Sequence, residues 1–202
     1  MTGPSSNLEG PSLSARLTQQ CSVLHNRSAM QRIVVLGTSG SGKSTLARQL
    51  GSRLSLPYFE MDSLHWNPSW KATPLPEFRH RVQQAVQQSR WVTEGNYSVV
   101  RDLLLERADT LIWLDYSFGV VFSRLFSRSL RRIILQERVC NGNLETFAQT
   151  FLSRESVLLW AIQTYRRRRR QLSQLFAQRT DLKLVRFGHP RQTQAWLEQL
   201  KA

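Results

Sequence analysis

The chain has 202 residues, 41% of them apolar, and carries 28 lysines and arginines against 14 aspartates and glutamates, a net charge of +14. That length and apolar share suit one domain with a full core. Apolar stretches are short or cut by arginine, as between Phe118 and Leu135, so none reaches bilayer-spanning length. Cys21 and Cys140 stand far apart without metal-ligand or CxxC spacing and read as reduced thiols of a cytoplasmic protein.

Residues 1–29 are rich in Ser, Asn, Gln, Gly and Pro, show no sustained period and lack a secretory core, which predicts a disordered extension before a domain over 30–202. Ile33-Val-Val-Leu36 then reads as a buried strand, followed by Gly37-Thr38-Ser39-Gly40-Ser41-Gly42-Lys43-Ser44-Thr45. Gly37, Gly42, Lys43 and Ser44 fit GxxxxGK[ST], in which glycines let successive backbone N–H groups converge on phosphate oxygens. In that pattern Lys43 reaches the β- and γ-phosphates and Ser44 ligates Mg²⁺. Leu46, Leu50 and Leu54 follow at helical spacing, so a helix beginning at Lys43 aims its positive dipole end at the same place.

A second short strand over Pro57–Asp62 puts Asp62 at its carboxyl end, where open α/β sheets bind ligands. His65, Trp66 and Trp70 fall in the loop that follows, and Phe78, Val82 and Val86 give the next helix its core stripe. A third strand ends at Glu94, turning at Gly95, and a fourth runs between Asp109 and Asp115. Either Glu94 or Asp115 could serve a metal beside the phosphate loop, and the residues themselves do not choose between them.

From Gly119 an amphipathic helix carries Arg124 and Arg128 on one face, then Arg131 and Arg132; Cys140–Asn143 is a turn, and Leu144–Leu175 reads as helix again, ending in Arg166–Arg170. Between Tyr116 and Arg170 stand eleven arginines against three glutamates, a field that attracts nucleotides and, more broadly, polyanions such as nucleic acid. Five consecutive arginines go all round a helix, so most face solvent while one or two could touch phosphate. A last strand over Leu182–Phe187 turns at Gly188-His189-Pro190 into a closing helix. Strands separated by helices of crossover length predict an α/β fold with a five-stranded parallel sheet.

The segments GTSGSGKSTLARQL, MDSLHWNPSW, RWVTEGNY, ADTLIWLD followed by RLFSR, and LVRFGHPRQ together resemble the adenylate-kinase-like P-loop kinases, and within them the small DNA topology modulation (FlaR-like) proteins. The resemblance spans about Gln31 to Leu200. It implies a three-layer α/β/α P-loop NTPase fold with strand order 2-3-1-4-5 and an arginine-rich lid over roughly 119–170. It implies ATP on residues 37–45, Arg124 stacked on the adenine, Arg128 on phosphate, Gly188–Pro190 along the adenine edge, and a metal on Ser44 and, through water, Glu94. An Asp is usual where this chain has Glu94. Lys43, Asp62, Arg128 and Arg132 would then carry phosphoryl transfer to a small, anionic or nucleotide-like acceptor, with Asp62 orienting its hydroxyl. The family label also suggests an ATP-responsive protein that binds nucleic acid without reading sequence, and a bare ATPase is a third alternative. The oligomeric state is not legible.

Overall fold

The computed structural model describes residues 30–147, 150 and 156–200. The expected extension over 1–29, and part of the expected helix after Leu144, lie outside the described residues.

Five strands form one parallel sheet: β1 (Arg32–Gly37), β2 (Tyr58–Glu60), β3 (Trp91–Glu94), β4 (Thr110–Leu114) and β5 (Lys183–Phe187), in spatial order 2-3-1-4-5. β1, β3 and β4 are buried along nearly their whole length, as required of parallel strands covered on both faces. Successive side chains therefore sort to opposite faces. Val34, Leu36, Trp91, Leu111 and Trp113 join one apolar cluster with Phe78, Val82 and Val86 of helix α3 (Leu75–Val86), Leu104 of α4 (Arg101–Arg107) and Leu172 of α6 (Val157–Gln178). On the other face lie α1 (Lys43–Leu54), which buries Leu46, Ala47 and Leu50, and α7 (Pro190–Gln199), whose Trp196 packs on Phe187 at 5.2 Å between ring centroids. Each fully buried Val, Leu or Phe contributes on the order of 1.5–3 kcal/mol relative to exposure. The two stripes together hold the three layers.

Asp109 pins the edge of the sheet away from the loops that matter most. Its carboxylate accepts from the backbone N–H of Gln31 and Arg32 (2.9 Å from the latter), and its carbonyl accepts from Lys183 N–H, so one residue ties three strand starts.

The chain order places the functional end. From β1 the chain runs to one edge through β2 and β3, then crosses to the other side of β1 for β4 and β5, so β1 is the switch point and its carboxyl end opens a crevice. Glu94 pairs level with Val35, and Leu114 level with Gly37. Both carboxylates weighed for the metal thus flank the same loop.

The region after Leu114 departs from expectation in one respect. Helix α5 (Phe118–Ile134) forms as its periodicity predicts, but Leu144 does not begin a helix: Arg138–Val139 and Asn143–Leu144 pair as a two-residue antiparallel ribbon turning through Cys140, Asn141 and Gly142, all at positive φ. Phe147 is helical and Thr150 N–H donates to Thr146 O at 3.0 Å, and α6 starts at Val157, where the Ser156 hydroxyl accepts from the N–H groups of Leu158 and Leu159. A second ribbon joins Trp66–Asn67 to Lys71–Ala72, between the short helix α2 (Met61–His65) and α3.

Helix α5 lies against the glycine loop itself. Gly40 has φ 86°, and a Cβ there would overlap the carbonyl oxygen of Val121 and approach Cβ of Leu125 to 2.9 Å. Gly40→Ala should therefore lower unfolding free energy by about 3 kcal/mol, through left-handed strain plus a clash with helix backbone that cannot turn aside. Chemical denaturation checks it; a loss under about 1 kcal/mol would mean that α5 does not sit this close to the loop in solution.

Candidate active site

The loop between β1 and α1 has the form of an anion cradle. Gly42 caps α1 at φ 92°, leaving the first-turn N–H groups of the helix facing outward, and no side chain caps them. The turn is closed by Ser41 N–H donating to Thr38 O at 3.1 Å. The Lys43 ammonium folds back over it and donates to Thr38 O at 3.3 Å, its one hydrogen-bond partner among the described residues. Ser41 Oγ is buried without a partner. Thr45, on the exposed side of α1, points away from protein contacts.

Charges of both signs surround Lys43. Burial pushes its ammonium toward losing its proton; Glu94 and Asp62 oppose this, while Arg128 of α5 and Arg168 of α6 add to it. Glu94 is buried beside Ser44, which holds its pKa down slightly, and its carboxylate oxygen Oε1 has no hydrogen-bond partner among the described residues. Burial raises its pKa to about 7, against the pull of Lys43 and with repulsion from Asp62 and Glu60 adding to the rise. A Ser hydroxyl beside a buried, half-satisfied carboxylate is a fitting donor pair for a divalent cation. Among the described residues no three His, Cys, Asp or Glu side chains gather to hold a metal alone, so a cation here would complete its shell with phosphate and water.

Asp115 is differently engaged. Its carboxylate is held by Arg169 at 2.7 Å and by Arg186, whose guanidinium also lies over the Trp113 ring at 4.5 Å. Both carboxylate oxygens are spent on guanidinium donors. Of the two acids, Glu94 keeps an unpartnered carboxylate oxygen, and Asp115 has both of its oxygens engaged.

Asp62 stands in the first turn of α2, just past β2, rather than within the strand. Tyr97, three residues after Glu94, donates its hydroxyl to Asp62 Oδ1 at 2.6 Å. Burial, then the charge of Asp62, pushes the Tyr97 hydroxyl well above its ordinary pKa, so it stays a donor. His65 is packed among the rings of Trp66, Phe78 and Tyr97 at 4.7–4.9 Å, and burial holds it below its usual pKa. It is a neutral ring in the wall of the site.

The arginines divide by what they touch. Arg124 lies over the Tyr116 ring (5.7 Å), with Nη1 3.7 Å from where a Gly42 Cβ would stand, at the rim of the loop. Arg128 is close enough to Lys43 and Asp62 to feel both charges, and its Nε is buried and unpartnered. Arg132 is engaged with Glu145 at 2.6 Å, so it reaches the loop less directly than the resemblance implies. Of the run 166–170, Arg168 lies over the Trp160 ring at 4.1 Å and Arg169 pairs with Asp115. Gly188, His189 and Pro190 form the entry to α7: Gln192 Oε1 accepts from both Gly188 and His189 N–H, and His189 Nδ1 accepts from Arg191 N–H.

Residues that the sequence reading passed over also stand here. Asn96 donates to the carbonyl of Gly37 and so ties the segment after β3 to the loop. Asn143 accepts from Trp70 N–H at 2.8 Å and donates to Asn67 O at 3.0 Å, joining the ribbon beyond α5 to the ribbon after Asp62. Asn96 and Tyr97 lie in the RWVTEGNY stretch, so the signal was present without a role attached; Asn143 was read only as turn.

No protein-family profile and no curated relative matches the chain. Among solved structures, the chain is similar to a sugar kinase from Janibacter sp. HTCC2649 (21% identity, TM-score 0.46, covering 85% of this chain and 94% of that one). It is also similar to a gluconokinase from Sinorhizobium meliloti 1021 (19% identity, TM-score 0.47, covering 87% and 95%).

The two carboxylates should separate in experiment. With a folded pKa near 7 against 4.5, Glu94 keeps its proton in the folded chain after the unfolded chain has lost it. Metal-free protein should therefore lose up to about 3 kcal/mol of stability as pH rises from 4.5 to 7, a slope that Glu94→Gln removes. Parallel stability curves for the two proteins would contradict it. Asp115→Asn should instead cost about 2 kcal/mol in chemical denaturation at neutral pH, below the usual toll for a buried pair because both arginines are half exposed. A loss under about 0.5 kcal/mol would mean that the two guanidiniums do not hold Asp115 in solution.

Proposed function

We propose that the chain is an ATP-dependent phosphotransferase that moves the γ-phosphoryl group of Mg·ATP to a hydroxyl of a small anionic acceptor. One observation carries this reading: the Lys43 ammonium, with donors unspent, sits over an uncapped glycine loop, between carboxylates Glu94 and Asp62 and guanidiniums Arg128 and Arg168. Such a cluster is poorly balanced alone and well suited to a triphosphate.

In this reading the N–H groups of residues 40–45 take the β-phosphate, and Lys43 bridges β- and γ-oxygens. Ser44 and Glu94 would hold Mg²⁺, which would supply further neutralisation of charge on the transferring group. Arg128 approaches from α5, and Arg124 covers the rim of the loop at Gly42, where the base would lie. Asp62, fixed by the Tyr97 hydroxyl, orients the acceptor hydroxyl and takes its proton as the oxygen bonds to γ-phosphorus and the bridge to β-phosphate breaks. Glu94 and Asp62 have separate tasks because their neighbours differ: Ser44 faces one, Tyr97 the other. His65 and the tryptophans shape the wall without titrating near neutral pH.

Because phosphoryl transfer rests on positioning and charge, removing the Lys43 ammonium should cost about 3 kcal/mol or more of transition-state stabilisation, so Lys43→Ala should lower turnover at least about a hundredfold. An ATP-consumption screen over nucleosides, nucleotides, sugar acids and phosphorylated metabolites, with Lys43→Ala as blank, measures this. Wild-type turnover in Lys43→Ala with an identified acceptor would sink the assignment, and full-rate hydrolysis with no acceptor would make the chain a bare ATPase.

A further inference from the structure

A second group of arginines is unpaired among the described residues: Arg101 and Arg168 are half-buried, and Arg167 is exposed. A cavity of about 130 Å³ lies between the segment after β3 and helix α6, walled by Asn96, Ser98, Arg101, Arg167, Arg168 and Gln171. No carboxylate lines it. Among the described residues Arg101, Arg167 and Arg168 form no ion pair, whereas Arg169 and Arg186 share Asp115, Arg179 holds Asp181 and Arg131 holds Glu137. Arg168 is oriented by the Trp160 ring beneath its guanidinium, and its Nε is buried without a partner. Burial lowers its pKa to about 10, with Arg101 and Arg167 adding repulsion, and burial also lowers that of Arg101. Three like charges around one small space, two of them half-buried, are unfavourable unless an anion enters it.

The cavity adjoins the chemistry. Asn96 in its wall donates to Gly37 O of the glycine loop; Tyr97, the next residue, holds Asp62; and Arg168 lies near enough to Lys43 to weaken its grip on a proton. A molecule anchored here by one end can present its other end to Asp62.

We propose that this cavity is the acceptor's anion subsite and that it takes a phosphate monoester, so that the acceptor is an already phosphorylated hydroxyl compound. This rests on the phosphotransferase reading above. A phosphate monoester offers two negative charges and three terminal oxygens to three guanidiniums, with Asn96, Ser98 and Gln171 supplying further polar contacts; a carboxylate offers one charge and two oxygens. The cavity admits one such group and is too small for a duplex. In the reaction the anchored phosphate is unchanged: the free hydroxyl oxygen bonds to γ-phosphorus, the β–γ bridge breaks to release ADP, and the hydroxyl proton passes to Asp62.

The test separates the two sites. The glycine loop of the full chain is first saturated with Mg·AMP-PNP, and inorganic phosphate is then titrated by calorimetry at constant ionic strength. One further phosphate should bind, at least tenfold more weakly in Arg101→Gln and close to wild type in Arg101→Lys, while AMP-PNP affinity stays within twofold in both variants. No phosphate binding to the loaded protein, or binding that Arg101→Gln leaves unchanged, would overturn the inference, as would an oligonucleotide binding where inorganic phosphate does not. In a second arm, matched acceptors with and without a phosphate group are compared, and the phosphorylated member should have kcat/KM at least a hundredfold higher. A neutral member turned over as well as its phosphorylated counterpart would overturn the subsite and leave the phosphotransferase standing. Failure of wild type to bind Mg·AMP-PNP would instead overturn the phosphotransferase reading, and the subsite with it.

Discussion

The structure depends on a charge arrangement at Lys43, whose ammonium has Thr38 O as its one hydrogen-bond partner among the described residues. Burial works against the ammonium, Glu94 and Asp62 support it, and Arg128 and Arg168 press on it from two different helices. Coulomb interactions of this kind are worth little between exposed groups and much more where water is thinned out. Arg79 pairs with Asp102 and Arg131 with Glu137 at the surface, while Lys43 and Arg128 form no ion pair among the described residues. Glu94 is buried as well, and its Oε1 has no partner among the described residues.

What holds the arrangement is backbone geometry more than side-chain pairing. The crevice exists because the strand order reverses at β1, and the parallel register sets Glu94 and Leu114 level with the last residues of that strand. The glycine at 40 lets α5 pack against the loop, which carries Arg124 and Arg128 to its rim. Asp109 ties the opposite edge, so the two acids bracketing β4 have unlike tasks: one anchors strand starts through backbone amides, the other accepts two guanidiniums.

Much of this was legible in the residues. The apolar runs Ile33–Leu36 and Thr110–Leu114 have no polar alternation because both faces are covered, and the GxxxxGK[ST] spacing declares a loop whose chemistry lies in its backbone. The strand order came from resemblance and is the one observed. What stayed hidden depends on contacts between segments far apart in the chain. Nothing near Asp115 in sequence shows that Arg169, 54 residues later, and Arg186, 71 later, will occupy it. Arg168 looks like its four neighbours in the run, and only the Trp160 face two turns earlier distinguishes it. Leu144 continued a plausible helical pattern, yet Asn143 offers its amide to Asn67 and Cys140 carbonyls, and local side-chain bonds of this kind break helices.

The two short ribbons bring the halves of the site together. Trp70 has φ 54°, a left-handed conformation that costs a bulky residue on the order of 1–2 kcal/mol. Its N–H donates to Asn143 Oδ1 and its indole Nε1 to Leu144 O at 3.0 Å, while Asn141 donates to Ser63 O and Trp66 O at 2.9 and 2.6 Å. At a net 0.5–1.5 kcal/mol or so for each bond, these contacts offset the strain with a small surplus. The strained turn is thus affordable only while the ribbon following α5 stays docked on the ribbon following Asp62. The helix that brings Arg128 to the loop and the segment that brings Asp62 to it are consequently joined at their far ends as well as across the glycines, so neither can shift without disturbing the other's contacts. That linkage is how a loop made of small residues acquires side-chain chemistry at fixed distances.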